Sequence, residues 1–281
     1  MVTKQDILFS LSLMEIQRGD LLLVHSALSS IGQVDGGADT VIDALLEAIG
    51  PKGTLVMSTL TGWDSHFDAQ TTPSAVGAIS ETFRRRPGVL RSLHPVHSVA
   101  ALGQFAEYIT EGHELCETGC GEGTPYWKIA ELGGKILLLG VDMDRNTMMH
   151  TLEEAADVRY LRTLDIPAPT YQPGYQTVPF TLKKFPPGHR DFLRMTPILR
   201  RAGCLTQGRI GQAVVKVIQA EPLLELGIQL LTEDPLFFIC HNEHCNSCSW
   251  ARSLYDEDSD AGPLTDNHCV DPHCEICVVD L

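Results

Sequence analysis

The strongest constraint on how this chain folds is an alternation of strand-like and helix-like segments through its first 160 residues. "DLLLVHSAL" (20–28) is an apolar run that reads as a buried strand, and "ADTVIDALLEAIG" (38–50) has apolar residues at helical spacing and stops on glycine. "GTLVMSTL" (53–60) reads as the next strand, "VGAISETFRRR" (76–86) as a helix and "HSVAALG" (97–103) as a strand. "TPYWKIAEL" (124–132) fits a helix capped by Thr124, with Pro125 at its first position. "GKILLLGV" (134–141) is the clearest core strand, and "GVDMDRNTMMHTLEEAAD" (140–157) follows it as a helix. Such alternation predicts a layered α/β domain with a largely parallel sheet. Ligands in that architecture sit where strands end and helices begin, which directs attention to "LVHSALSSIG", "VMSTLTGWD" and "LLGVDMDRNTMMH".

The rest of the chain is less regular. Residues 160–188 are rich in Pro, Thr and Tyr, with a strand expected at 177–185. "HRDFLRMTPILRRAG" and "IGQAVVKVIQA…LLELGIQLLTED" return to helical spacing. From Asp256 the sequence is acidic and turn-rich, so the expected division is one domain over 1–255 and a cysteine-containing tail over 256–281. No apolar run approaches the ~20 residues that span a bilayer. "MVTKQDILFS" lacks the basic flank and apolar core of a signal peptide, so a cytoplasmic location is expected. The net charge of −15 disfavours nucleic acid and anionic membranes as partners and favours a cationic substrate.

Several clusters carry possible chemistry. If the last helix of this series begins at Asn146 or Thr147, His150 lies in its first turn with Glu153 and Glu154 three and four residues on. The positive helix end favours a neutral imidazole and a carboxylate orients it, which describes a general base; a capped surface helix with incidental charges has the same spelling. "HPVHS" (94–98) places two histidines and a serine before a strand. "GCGEGTP" (119–125) is a glycine-rich approach to a helix, suited to anions or close backbone contact, but it is no phosphate-binding Walker loop. A G-x-S-x-G nucleophile elbow is also absent. Among nine cysteines, "CHNEHCNSC" (240–248) and "CVDPHCEIC" (269–277) share one pattern. Their C-x2-C pairs, Cys245 with Cys248 and Cys274 with Cys277, are candidate ligands for structural Zn²⁺, with reduced thiols as the alternative.

Taken together, "LLLVHSALSSIG", "GPKGTLVMSTLTGWD", "RSLHPVHSVAALG", "GEGTPYWKI" and "ILLLGVDMDRNTMMHTLEEA" resemble, in order and spacing, the motifs of the aminoglycoside 3-N-acetyltransferase (antibiotic acetyltransferase) family. The likeness runs from about residue 20 to 252. It implies that family's α/β/α fold around a mostly parallel sheet, distinct from the GNAT fold, and a transferase of acetyl from acetyl-CoA to a primary amine. It puts the catalytic base at His150, with Glu153 beside it. Asp64, Glu153 and Glu154 would meet a cationic substrate. His25, Ser26, Arg91, His97, Ser98 and Thr124 would line the coenzyme. Backbone N–H groups near His25–Ser26 or at Thr124 would stabilise the oxyanion, and Cys116 and Cys120 keep a ping-pong route in view.

A monomer or homodimer is expected, and for an aminoglycoside acceptor the resemblance implies its 3-amino group as the target. Lys183 and Lys184 stand where acidic substrate contacts are expected, so a different amine is the alternative acceptor. A zinc-stabilised binding protein without catalysis is the alternative in kind.

Overall fold

In the computed structural model, residues 1–61, 67–166, 180–185, 188–242 and 244–256 are described. In chain order the first elements are α1 (Lys4–Leu13), β1 (Leu21–Ser26), α2 (Leu28–Ile31), α3 (Gly37–Ile49), β2 (Thr54–Ser58), α4 (Ala78–Arg84), β3 (Leu90–Arg91) and β4 (Val99–Gly103). The middle of the chain contributes α5 (Ala106–Thr110), α6 (Pro125–Glu131), β5 (Lys135–Leu139), α7 (Met148–Ala155), β6 (Arg162–Ile166) and β7 (Phe180–Phe185). The last part contributes α8 (Met195–Arg201), β8 (Leu205–Ile210), β9 (Ala213–Gln219), α9 (Ala220–Glu233) and α10 (Asn246–Ser253).

Seven strands pair in the order β3-β4-β2-β1-β5-β9-β8. Only the central three, β2-β1-β5, run parallel; β4, β3, β9 and β8 join antiparallel. The sheet is therefore mixed, a correction to the expectation of a mostly parallel one. The reason is local: β3 with β4 and β8 with β9 follow each other closely in sequence, and a short connection returns a strand antiparallel.

Alternate residues of the central strands feed two cores, as the twofold period of a strand requires. Leu22, Val24, Leu55, Met57, Leu137 and Leu139 pack with α1, α3 and α4. Leu21, Leu23, Val56, Ile136 and Leu138 face the other way, onto α5 to α10. This is the α/β/α layering. The α7–α9 contact is close because Gly227 has no Cβ; one built there would lie 2.3 Å from Leu152 Cδ1.

Helical spacing was the expectation for "IGQAVVKVIQA", yet residues 205–219 form the hairpin β8–β9, turning at Gly211 with φ +57°. Val214, Val215, Val217 and Ile218 are β-branched and favour a strand, and pairing with β5 decides the outcome. Helical spacing holds from Ala220 onward, in α9. The strand expected over 177–185 is described from Phe180 as β7, which pairs with β6 in a separate two-stranded sheet; 177–179 lie outside the described residues. So does the tail beyond Asp256. Among the described residues no helix is long and apolar enough to cross a membrane.

Candidate active site

The register of the sheet gathers the sequence motifs at one edge. Ser26 pairs with Leu139, and Ser58 with Val99. The carboxyl ends of β1, β2 and β5 thus meet the amino end of β4, which carries His97 and Ser98. After β5 a short 3-10 turn, Met143–Arg145, leads into α7. Thr147 sits at the helix boundary without a side-chain cap, and Asn146 Oδ1 instead accepts the Met148 N–H at 3.2 Å. Tyr126, fully buried on α6, links this entrance to the end of β2 through Ser58 Oγ at 3.1 Å.

His150 is in the first turn of α7, with its side chain 26% exposed. Its Nδ1 is 2.7 Å from Glu153 Oε2. Glu153 is fully buried, and its other oxygen accepts from Arg190 Nε. Burial raises the Glu153 pKa, but the Arg190 charge and the His150 hydrogen bond outweigh it and hold the carboxyl below its ordinary value. An ionised carboxylate only accepts, so Nδ1 is the donor of this pair, and in the neutral ring the lone pair falls on Nε2. The arrangement is an imidazole, a carboxylate that orients it and a guanidinium as fixed counter-charge. Phe192 packs edge-on against the imidazole at 5.2 Å, and the Arg190 guanidinium lies over the Tyr160 ring at 4.2 Å.

Arg190, Phe192 and Tyr160 were not identified from the sequence. Arg190 is separated from Glu153 by 37 positions and belongs to no motif that announces the contact. Glu153, expected to meet the substrate, is fully buried here with one oxygen on His150 and the other on Arg190. Glu153→Ala is expected to lower stability by about 3–5 kcal/mol, because it leaves a buried guanidinium uncompensated. Chemical denaturation measures this; a loss below about 1 kcal/mol, the range of exposed pairs, would remove Glu153 from its central place.

Glu154 turns the other way, although it is one residue on. Its Oε1 accepts the Cys120 N–H at 3.1 Å, and burial pushes its pKa up to about 8. The shift favours the uncharged acid, which weakens its attraction for an ammonium. A cavity of about 460 Å³ opens beside it, lined in part by Cys116, Trp127 and Lys184. The two lysines opposed to a polycation are neutralised: Lys183 pairs with Glu117, and Lys184 with Asp157 at 2.8 Å. Asp64 lies outside the described residues.

The segments expected to line the coenzyme separate into two groups. His25 is buried at the end of β1, its Nε2 has no hydrogen-bond partner among the described residues, and burial lowers its pKa to about 4. Ser26 beside it is half-buried. Arg91, Ser98 and Thr124 are instead bound to the protein itself. Arg91 Nε donates to Ser98 Oγ and Thr59 Oγ1, at 3.1 and 3.2 Å. Thr124 gives both its N–H and its hydroxyl to Gly121 O, at 3.2 and 2.7 Å. His97 lies against the glycine-rich turn; a Cβ at Gly119 would come within 2.2 Å of its Nδ1, which explains glycine there. Cys120 is buried, and burial together with Glu154 raises its thiol pKa well above the ordinary value.

A second cluster lies behind Arg190. The ligand atoms of His189, Cys240, Cys245 and Cys248 are all within 4.8 Å of one another. His189 Nδ1 is 3.6 Å from Cys248 Sγ and 3.9 Å from Cys245 Sγ. Tetrahedral Zn²⁺, with bonds of roughly 2.0–2.3 Å, sets its ligands about 3.3–3.8 Å apart; these donors span a somewhat wider set, up to 4.8 Å, and three thiols with an imidazole are the donor chemistry of a structural zinc site. Cys245 and Cys248 are the expected pair. His189 and Cys240 complete the four in the structure, while Cys274 and Cys277 lie outside the described residues. His189 has no local spacing to Cys240 that a motif could display.

The profile of the aminoglycoside 3-N-acetyltransferase family matches residues 23–232. Aminoglycoside N(3)-acetyltransferase III from Salmonella sp is 38% identical over 193 residues, 60% of this chain and 67% of that protein. Among such type III proteins the chain spans 62–67% of their length. The apoenzyme crystal structure of aminoglycoside acetyltransferase AAC(3)-IVa superposes with TM-score 0.81 at 32% identity, covering 89% of this chain and 96% of that one. A binary structure of AAC-IIIb with CoASH superposes with TM-score 0.75 at 30% identity, covering 82% and 96%.

Proposed function

The chain belongs to the aminoglycoside 3-N-acetyltransferase family, and from that premise we infer that it moves an acetyl group from acetyl-CoA to an aminoglycoside, at the 3-amino group. The observation that carries the mechanism is the chain His150–Glu153–Arg190 at the carboxyl edge of the sheet. His150 Nε2 takes a proton from the amine as its nitrogen attacks the thioester carbonyl. A C–N bond forms, the C–S bond breaks, and coenzyme A leaves as the thiolate. Glu153 keeps the imidazole in the tautomer that accepts at Nε2 and stabilises the imidazolium once formed. Arg190 keeps Glu153 ionised inside the protein.

In this reading His25 and Ser26 meet the coenzyme; His25 Nε2, buried without a hydrogen-bond partner among the described residues, is a fitting contact. Arg91, His97, Ser98 and Thr124 shape its walls, and the amine contact assigned to Asp64 rests on the sequence resemblance alone. The two lysine charges that oppose a polycation, at Lys183 and Lys184, are each paired with a carboxylate and so do not stand against an aminoglycoside. We place the activity in the cytoplasm, where acetyl-CoA is available. Structural Zn²⁺ on His189, Cys240, Cys245 and Cys248 is part of the same reading, and supports a protein that is both metal-stabilised and catalytic.

Thiol release from acetyl-CoA, followed across a panel of amines that includes gentamicin-like and apramycin-like compounds, tests the function. Release with those compounds and none with simple amines is the expected result; the reverse pattern would reject the acceptor. Cys120→Ala is expected to leave the rate nearly unchanged, because a buried, protonated thiol is a poor nucleophile. An acetyl-enzyme trapped on Cys120 would overturn direct transfer.

A further inference from the structure

One short segment connects the cysteine–histidine cluster to the catalytic pair. Its first member, His189, is 3.6 Å from Cys248 Sγ through Nδ1, and its carbonyl lies 3.6 Å from the same sulfur. The next residue, Arg190, is the partner of Glu153, and its side chain is only 3% exposed. Arg190 also folds back on the His189 carbonyl, with Nη1 at 2.7 Å. Asp191 donates its N–H to Phe238 O at 2.8 Å, and Phe192 packs on both His150 and Phe238 at 5.2 Å. Within four residues the chain therefore touches the cluster once and the catalytic pair twice: at Glu153 through Arg190, and at His150 through Phe192.

We propose that a metal ion held by His189, Cys240, Cys245 and Cys248 positions the base, by fixing the segment from which Arg190 and Phe192 reach Glu153 and His150. The chemistry of the donors selects Zn²⁺: three thiols and an imidazole are a borderline-soft, closed tetrahedral set with no place for substrate. The ion's role is to hold backbone. Without it, the His189 imidazole is held by weak thiol contacts, and the segment that carries Arg190 and Phe192 loses the anchor at its start. Arg190 is a positioning residue, two contacts removed from the amine. A metal acting at this distance resembles the outer-shell partners of a metal site in reverse: the ion orients the residues that orient the base. The proposal rests on the reading of His150 as base.

The test uses the full chain and four variants, with metal content, coenzyme A binding and steady-state kinetics measured on each. The chain as isolated is expected to hold stoichiometric zinc, and cobalt exchanged into it should show thiolate-to-metal charge-transfer absorption. Cys248→Ser should lose zinc and lower kcat by about 10- to 100-fold, with KM for acetyl-CoA and coenzyme binding little changed. Arg190→Gln should keep its zinc yet lower kcat over the same range, and Arg190→Lys should recover part of the loss by restoring a cation beside Glu153.

Absence of zinc together with failure to take up cobalt would overturn the proposal. So would a zinc-free Cys248→Ser that binds coenzyme A and turns over at the parent kcat. If Cys248→Ser does not fold, Arg190→Gln decides: parent kcat with zinc retained rejects the link. His150→Ala separates the two ideas. Turnover surviving in that variant, with zinc intact, would remove the base itself and leave the metal site standing.

Discussion

Replacing His150 with alanine lowers acetyl transfer by about 10²- to 10⁴-fold while coenzyme binding survives, the range by which a positioned acid or base accelerates a reaction. The loss should appear in kcat, because the imidazole is proposed to act on the amine as it attacks and contributes little to holding the coenzyme. Folding should be largely intact. The His150 side chain is 26% exposed, and its removal leaves Glu153 still paired with Arg190. A variant with near-normal turnover would end the proposed role of this residue. One with lost coenzyme binding would assign it to substrate architecture instead.

The second large effect is loss of stability in mild acid. His25, His94, His97 and His113 are all buried. Burial lowers His25 to about 4 and His97 and His113 to about 3, and lowers His94 well below its ordinary 6.5; neighbouring imidazole charges add to the effect within the group of three. His94 and His113 stack with ring centroids 4.6 Å apart, so two charged rings there would repel. Each ring stays neutral in the fold, whereas the unfolded chain takes up a proton below about 6.5. Stability therefore falls as pH drops below 6.5, by about 1.4 kcal/mol per pH unit for each ring, until the folded values near 3–4 are reached.

Glu154 works in the opposite sense. Its pKa is raised to about 8, so it favours the fold as pH falls from there toward its unfolded value, but it is one group against four. By about pH 5 the net loss is several kcal/mol, a large part of the ~5–15 kcal/mol typical of a folded domain. The urea midpoint should change little between about pH 8 and 7 and fall steeply toward pH 5. Equal midpoints at pH 7 and 5 would mean that these rings are protonated in the fold or reached by water.

Much of this was legible from residue order. The central strands announced themselves because each is a short apolar run, and a helix that begins with "NTMMHTLEE" places His150 and Glu153 within reach because three residues make nearly one turn. Pro125 after Thr124 marked the start of α6 correctly. "AVVKVIQA" was harder: its apolar residues satisfy both periods over so short a stretch, and only pairing with Leu137 and Leu139 of β5 settles it as strand. The antiparallel edges were hidden for a related reason, since direction depends on how a connection returns and not on the composition of the strand.

What sequence alone determined are the properties set by neighbours a few positions apart: the buried central strands, the start of α6 at Pro125, the i to i+3 pairing of His150 with Glu153, and the C-x2-C of Cys245 and Cys248. Tertiary structure alone decided which charge compensates Glu153 and which residues complete the cysteine pair. Arg190 and His189 are adjacent in the chain, yet each finds partners dozens of positions away. A buried carboxylate demands a cation and a thiol pair accepts further donors. Neither requirement says where along the chain the answer stands, because that is set by how helices and strands pack in three dimensions.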